Sequence, residues 1–366
     1  MGEELLHQVA LCLTPGIGVR TIRKLISYCG SASEVFRANV HQLSKIPGMG
    51  PKTISAIHQQ TGIKEAQQEI DGARKLNIRL IFYNHPQYPQ RLSKLDDAPL
   101  LLYGKGDFQF SDRPTLGIVG TRNLTSYGLA IIEDFLSAWK AFDPVIISGL
   151  AYGVDIAVHR SAIQEGLTTV GVLGNSLDIL YPPVHSGTAK RMLKNGGLLS
   201  ELRLGTKPDS FQFPKRNRII AGLSDALVII EARESGGALI TADFARKFGR
   251  MVYAVPGPVN SLSSKGCLKL IRQGAAEMLC RPQELTDQMK WSAKSPRKAV
   301  DISSEHPPQI AEIIEVMQEK PQGMHIDEIS WKTQLPINRT GSLLLDMEFE
   351  GLVKCLPGKK FSLIHK

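Results

Sequence analysis

The chain lacks the residue groupings on which several large protein classes depend. Its five cysteines, Cys12, Cys29, Cys267, Cys280 and Cys355, are scattered with no paired spacing. That argues against a disulfide framework or a zinc site and fits free thiols in a reducing cytoplasm. No apolar run exceeds seven residues, too short for a transmembrane helix. Glu3 and Glu4 stand where a secretion signal would carry basic residues. No Gly-x-Gly-x-x-Gly follows the first strand of the main domain, so no dinucleotide cofactor is expected. No Gly-x-x-x-x-Gly-Lys-Ser/Thr occurs, so ATP hydrolysis is not expected either. No carboxylate cluster or His-Glu-x-x-His suggests a metal.

What is present is a globular chain of 366 residues, 42% hydrophobic, with mean hydropathy −0.09. That length accommodates two or three domains, each with its own core. Net charge is +9 and pI about 9.2. The excess is uneven: +4 over residues 1–80, zero over 81–204, +5 over 205–286, +2 over 287–304 and −2 over 305–366. An acidic polymer such as nucleic acid is the natural partner of the two basic blocks.

Residues 1–72 form a helical domain with two similar turns, Thr14-Pro15-Gly16-Ile17-Gly18 and Ile46-Pro47-Gly48-Met49-Gly50. A basic helix start follows each: Arg20, Arg23 and Lys24, then Lys52. The pattern resembles helix-hairpin-helix motifs, whose glycines let backbone N–H groups approach DNA phosphate. The same turns serve equally in an αα-hairpin that packs and binds nothing. Residues 73–113, with a strand over 77–83 and Pro86, Pro89 and Pro99 beyond it, read as a connector.

Residues 114–285 alternate apolar strands with helical patterns, which implies a doubly wound, mostly parallel Rossmann-like sheet. Ligands of such sheets bind beyond the strand C-termini. Gly120-Thr121-Arg122-Asn123 follows the first strand, and Ser148–His159 follows the second. There Asp155 and His159 are spaced to pair, as a helix cap rather than as an acid–base couple. Gly174 and Tyr181-Pro182 follow the third strand, and Ser200-Glu201 closes the fourth. The run Phe213-Pro214-Lys215-Arg216-Asn217-Arg218 reads as a basic turn, and a helix over Arg218–Leu223 leads from it to the fifth strand, Ala226–Ile230. Beyond that strand, Ser235, Gly236 and Gly237 offer backbone N–H groups to an anion at a helix start. Asp225 and Glu231, which bracket the strand, read as structural.

Residues 286–308, rich in Lys, Ser and Pro, read as a weakly basic linker. Residues 309–366 carry three helical patterns and a hairpin, a winged helix. Its presumed recognition helix sets Asp346, Glu348 and Glu350 against Arg339, so protein contact is expected before duplex contact.

Taken in order, Gly120-Thr121-Arg122, Ser148–His159, Phe213-Pro214, Arg216–Ser224 and Glu234-Ser235-Gly236 resemble the bacterial DNA-processing protein A (DprA/Smf) family. The helical start and the winged helix fit its layout. The resemblance implies a non-catalytic, cytoplasmic single-stranded-DNA-binding protein of natural transformation. Such proteins protect incoming strands, help load the RecA recombinase and act as homodimers. By similarity, Gly120, Thr121 and Arg122 cradle a phosphate, while Lys215, Arg216 and Arg218 line the same pocket. Asn217 positions the backbone, and Phe213, with Phe211 as a second candidate, stacks on a base. Family members commonly carry a cation shortly before the Phe-Pro pair. Here Asp209, Ser210 and Gln212 fill that stretch, and Lys207 is the substitute. The rival reading is a nucleotide-cleaving enzyme. The Ser235–Ala238 loop and Thr241 resemble the Pro-Gly-Gly-x-Gly-Thr loop of nucleoside-phosphate phosphoribohydrolases, without its proline and third glycine.

Overall fold

Short, fully buried apolar runs dictate the central sheet. In the computed structural model, which describes residues 2–110, 113–293, 308–320, 323–349, 352–356 and 358–363, the chain divides into two units, Met1–Ala293 and Lys294–Lys366. The first unit holds nine strands: β1 (Arg79–Phe82), β2 (Leu101–Asp107), β3 (Thr115–Val119), β4 (Val145–Ser148), β5 (Thr169–Val172), β6 (Gly196–Ser200), β7 (Ala226–Ile229), β8 (Met251–Ala254) and β9 (Glu277–Met278). Their order is β1-β2-β6-β5-β4-β3-β7-β8-β9. All neighbours from β6 to β9 run parallel; β2 is antiparallel to both β1 and β6.

This corrects the reading of residues 73–113 as a connector, because β1 and β2 extend the sheet itself. The run Leu100–Tyr103 is buried on both faces, which an interior strand requires and a linker does not.

Alternate residues of each strand feed opposite layers. Leu116, Ile118, Ile146 and Val228 pack with Phe135, Leu136 and Trp139 of one helix and Val158 and Ala162 of another. Val119, Ile147, Val170 and Ile229 pack with Ile219, Ile220, Ala242 and Ala245 on the other face. The helices of residues 2–75 are α1 (Gly2–Leu13), α2 (Val19–Cys29), α3 (Ala32–Arg37), α4 (Val40–Ser44), α5 (Pro51–His58) and α6 (Ile63–Lys75). They share a core with the β1–β2–β6 edge through Phe82, Tyr103 and Leu198. Glu69 of α6 accepts from Leu204 N at 2.7 Å, which holds the two regions together.

In the two N-terminal hairpins, Gly16 and Gly48 take φ of 78° and 82°, a conformation that disfavours any side chain. Lys24 Nζ donates to Pro47 O at 2.9 Å, so one cation of the first hairpin locks the second.

After β1 the helices are α7 (Gln90–Ser93), α8 (Ser126–Trp139), α9 (Val154–Gln164), α10 (Ser186–Met192), α11 (Gln212–Leu223), α12 (Gly237–Lys247), α13 (Lys265–Arg272) and α14 (Pro282–Gln288). No helix among the described residues is long and apolar enough to cross a membrane. The linker reading falls mainly on residues 294–307, outside the described residues.

The second unit is a winged helix. It contains α15 (Pro308–Gln318), α16 (Ile326–Lys332) and α17 (Ile337–Phe349), with strands β10 (Met324–His325), β11 (Val353–Leu356) and β12 (Lys360–Leu363) ordered β10-β12-β11. Ile313, Ile314, Met317, Ile329, Leu344, Met347 and Val353 form its core. The two-residue β10 has no periodicity to read, and its pairing exists only through β12.

Candidate functional site

The strand order reverses direction at β3: β4 lies on one side and β7 on the other. Loops leaving the C-terminal ends of β3 and β7 therefore diverge and open a crevice, the usual ligand position in such sheets. A cavity of about 1270 Å³ lies there. Register sets its depth: Val119 pairs with Ile229, and Thr121 N then donates to Glu231 O at 2.7 Å. Glu231 is buried and accepts from Thr125 N at 3.0 Å and Thr125 Oγ1 at 2.6 Å, which anchors the start of α8. Asp225 accepts from Arg91 Nε at 2.6 Å and Thr115 N at 2.8 Å at the opposite end of β7. Both carboxylates are structural, as expected.

The 120–123 loop lies directly on α9. A Cβ on Gly120 would fall 2.9 Å from Glu231 O and 3.0 Å from Val154 Cβ, so the residue must be glycine. Thr121 O accepts from Val154 N at 3.1 Å. Arg122 lines the cavity with its guanidinium carbon 6.0 Å from the centre of the Phe213 ring. Phe213 rests against Gly174, where a Cβ would meet its ring at 2.7 Å, and lies 6.1 Å from the Tyr181 ring.

The run Phe213–Arg218 is helical, not a turn: it opens α11. Successive helical residues are rotated by about 100°, so Lys215, Arg216 and Arg218 cannot share one face. Phe213, Arg216, Asn217 and Ile220 line the cavity. Lys215 and Arg218 do not, which corrects the expectation of one pocket for all three cations. Arg218 forms a half-buried ion pair with Glu201. Burial still pushes the Glu201 carboxyl up, against the pull of Arg218 and, at longer range, of Lys215. Lys215 is exposed beside that pair. Phe211 is 76% exposed and lies outside the cavity lining.

Arg216 is the unusual group, only 6% exposed at the cavity floor. It donates to Val172 O, while its buried Nε has no partner among the described residues. Burial pulls the guanidinium down, Asp155 opposes that and Arg122 adds to it. Asp155 accepts from Ala151 N at 3.2 Å. It is the one carboxylate among the described residues lining the cavity. On the far wall Asn217 Nδ2 donates to Gly237 O at 3.1 Å, fastening α11 to the Ser235-Gly236-Gly237 loop. That loop leads into α12, whose first N–H groups lack intrahelical acceptors. Lys207 lines the rim and is exposed.

Sequence reasoning missed one contributor, Arg233, which lines the cavity four residues beyond β7. Tyr181, placed by its sequence at a strand end, adds an aromatic ring 43% exposed. The position of Arg233 after a buried strand was a usable signal.

His159 does not pair with Asp155. It is fully buried, with Nδ1 2.7 Å from Thr169 Oγ1 and Nε2 2.6 Å from Gly149 O. Burial, aided by Arg216 and His185, brings it from 6.5 to about 4 despite the Gly149 carbonyl and Asp155. The folded state thus takes up this proton less readily than the unfolded chain. Stability is full above pH 6.5 and is lost as pH falls towards 4. Between pH 7 and pH 4.5 the unfolding free energy is expected to fall by about 2–3 kcal/mol through this group. Urea titrations should show that slope, and His159→Gln should flatten it. An unchanged slope in the variant would remove His159 as its source.

Three family models match the chain. One described as DNA recombination-mediator protein A covers residues 79–290. A SAM-like helix-hairpin-helix tandem covers 10–61, and a DprA winged helix domain covers 297–359. The chain is 30% identical to Protein Smf of Synechocystis sp. over 98% of each chain. It is 39% identical to the DNA processing protein DprA of Streptococcus pneumoniae, over 51% of this chain and 66% of that one. The X-ray structure of DprA from Streptococcus pneumoniae aligns with TM-score 0.66 at 29% identity, covering 76% of this chain and 95% of that one. A structure of DNA processing protein A from Helicobacter pylori, described for its single-stranded DNA binding mode, aligns with TM-score 0.53 at 28% identity. It covers 58% of this chain and 95% of that one.

Proposed function

The chain belongs to the DNA recombination-mediator protein A (DprA/Smf) family, and from that premise we propose that it binds single-stranded DNA in the cleft beyond β3 and β7, in the service of DNA uptake and homologous recombination. One observation carries the reading. Arg122, Lys207, Arg216 and Arg233 line a single cleft against one carboxylate, Asp155. Arg122, Lys207 and Arg233 have no ion pair among the described residues, so their charge is available to phosphate. Phe213 and Tyr181 supply ring faces for unpaired bases, a contact worth about 1–3 kcal/mol each. Bases in a duplex are already stacked on one another, which favours the single strand. Gly120, Thr121, Ser235, Gly236 and Gly237 bring backbone close to the strand, and Asn217 fastens α11 to the second of these loops.

The reading includes no catalysis. Asp155 is held by the backbone, and His159 is sealed away from the cleft. Strand protection, transfer to the RecA recombinase, homodimer formation and a cytoplasmic location complete the proposal and rest on family membership.

Gel shifts with a poly-dT oligomer at two salt concentrations provide the test. Arg122→Ala is expected to weaken binding about tenfold and to reduce the salt slope by about one unit. Lys215→Ala, on the outer face of α11, is expected to change affinity less than twofold. Unchanged affinity in Arg122→Ala would remove the cleft from the proposal.

A further inference from the structure

The turns before α2 and α5 have the same backbone built twice. Gly16 and Gly48 share a positive φ. Gly18 and Gly50, which cap the two helices, sit at φ −88°, ψ 168° and φ −85°, ψ 159°. The turns close alike, with Ile17 N donating to Thr14 O at 3.4 Å and Met49 N to Ile46 O at 3.2 Å. A cation stands two residues after each cap, Arg20 and Lys52. Lys24, one helical turn beyond Arg20, ties the pair together. Its ammonium donates to Pro47 O and lies 3.8 Å from where a Cβ on Gly48 would stand. Lys45 leads into the second turn.

Several features of this surface work against the folding of the chain itself. Gly18 and Gly50 have ordinary φ, and a Cβ on either would meet nothing within 4 Å, so neither backbone nor packing requires glycine. Serine, asparagine and aspartate cap a helix start better. Arg20 and Lys52 lie in the first helical turn, where the macrodipole disfavours positive charge, and neither helix has an acidic residue there. Between Glu4 and Glu65 the single carboxylate is Glu34, which is already paired with Arg37. Arg20, Lys45 and Lys52 are exposed and have no ion pair among the described residues. An anion arriving from outside accounts for both anomalies, since it uses the clearance that the glycines leave and neutralises the misplaced cations.

We propose that the paired turns form a second nucleic-acid surface, which holds the sugar–phosphate backbone of a duplex. The first N–H groups of α2 with Arg20, and those of α5 with Lys52, each take a phosphate, and Lys24 and Lys45 add charge at the second turn. Residues 14–24 and 45–53 contain no aromatic side chain, so unpaired bases would find no ring to stack on. Ile17 and Ile46 are buried, which leaves the turns without the apolar centre that a protein partner needs. The Lys24 contact fixes the turns relative to one another, which suits the fixed phosphate spacing of a stiff duplex. Contacts to phosphate alone carry no sequence preference. The inference does not depend on strand binding in the cleft.

Fluorescence anisotropy of a short, blunt duplex of mixed sequence with the full chain, at two salt concentrations, tests it. The double variant Arg20→Gln, Lys52→Gln should weaken duplex binding about tenfold or more and lower the salt slope by about two units. Its melting temperature should hold or rise, because two cations leave helix starts. Gly50→Ser should weaken duplex binding severalfold at an unchanged melting temperature, since serine is the better cap but fills the clearance. It therefore carries the test if the double variant is unstable. Poly-dT affinity should stay within about twofold of the wild type in both, and Arg122→Ala should bind the duplex as the wild type does. Absence of salt-sensitive duplex binding in the wild type would overturn the proposal. So would duplex binding that survives the double variant, or that is lost in Arg122→Ala, which would place the duplex in the cleft. Equal loss of poly-dT and duplex binding in the double variant would make the turns a single-strand contact and overturn the duplex assignment.

Discussion

Arg216→Met is expected to weaken single-strand binding by about thirtyfold, near 2 kcal/mol, while leaving the melting temperature within a few degrees of the wild type. The two halves of this result follow from one fact. Arg216 is a buried cation with an unpartnered Nε, so the folded chain bears a desolvation cost for it. Methionine fills similar volume and removes that cost. The lost donation to Val172 O and the lost counter-charge for Asp155 act the other way. The net effect on folding is small, because the relieved desolvation of the guanidinium and these two losses are of similar size. In the complex the balance differs, since a phosphate at the cleft floor would lose its most desolvated donor. Fluorescence anisotropy with labelled poly-dT and thermal unfolding of the same preparation read both quantities. A variant that melts far lower yet binds as tightly would make Arg216 a purely structural residue.

Gly153→Ala is expected to cost about 4 kcal/mol of stability and to weaken strand binding more than Arg122→Ala does. Gly153 takes φ 74° and ψ −124° immediately before α9, a conformation almost closed to other residues. Its Cβ would also fall 2.5 Å from the carbonyl carbon of Arg122. Relief requires moving the 120–123 loop, which breaks the Val154 N to Thr121 O bond and displaces Arg122 from its place near Phe213. Gly166→Ala is the control. Gly166 has a similar φ of 71°, but a Cβ there would meet nothing within 4 Å. Its cost should be that of the backbone alone, about 1–2 kcal/mol. Urea denaturation of both variants separates strain from collision, and equal losses would mean that collision with the loop contributes nothing.

Much of the fold can be read directly from the chain. Leu116–Val119, Val145–Ile147 and Ala226–Ile230 are too short and too uniformly apolar for surface helices, and each is bounded by a glycine or a polar cluster. That pattern carries the parallel sheet, and the sheet carries the position of the cleft. Residues adjoining strand ends, Gly120-Thr121-Arg122 and Ser235-Gly236-Gly237, could therefore be placed at one rim without coordinates. The helices of the winged unit followed from spacing in the same way.

The assignment of cations within Phe213–Arg218 could not be read in this manner. Four consecutive polar residues have no periodicity, so nothing local shows whether they lie in a turn or on a helix, or which one points inward. Packing decided it: Ile219 and Ile220 bury one side of α11, which turns Arg216 to the cleft and leaves Arg218 beside Glu201. The recruitment of β1 and β2 to the sheet edge and the isolation of His159 between Thr169 and Gly149 arise likewise from residues distant in sequence. Local chemistry thus specified the elements and the kind of groups at their ends. The direction in which each charge faces was set by long-range burial, because a side chain's environment is made by neighbours that the linear order does not reveal.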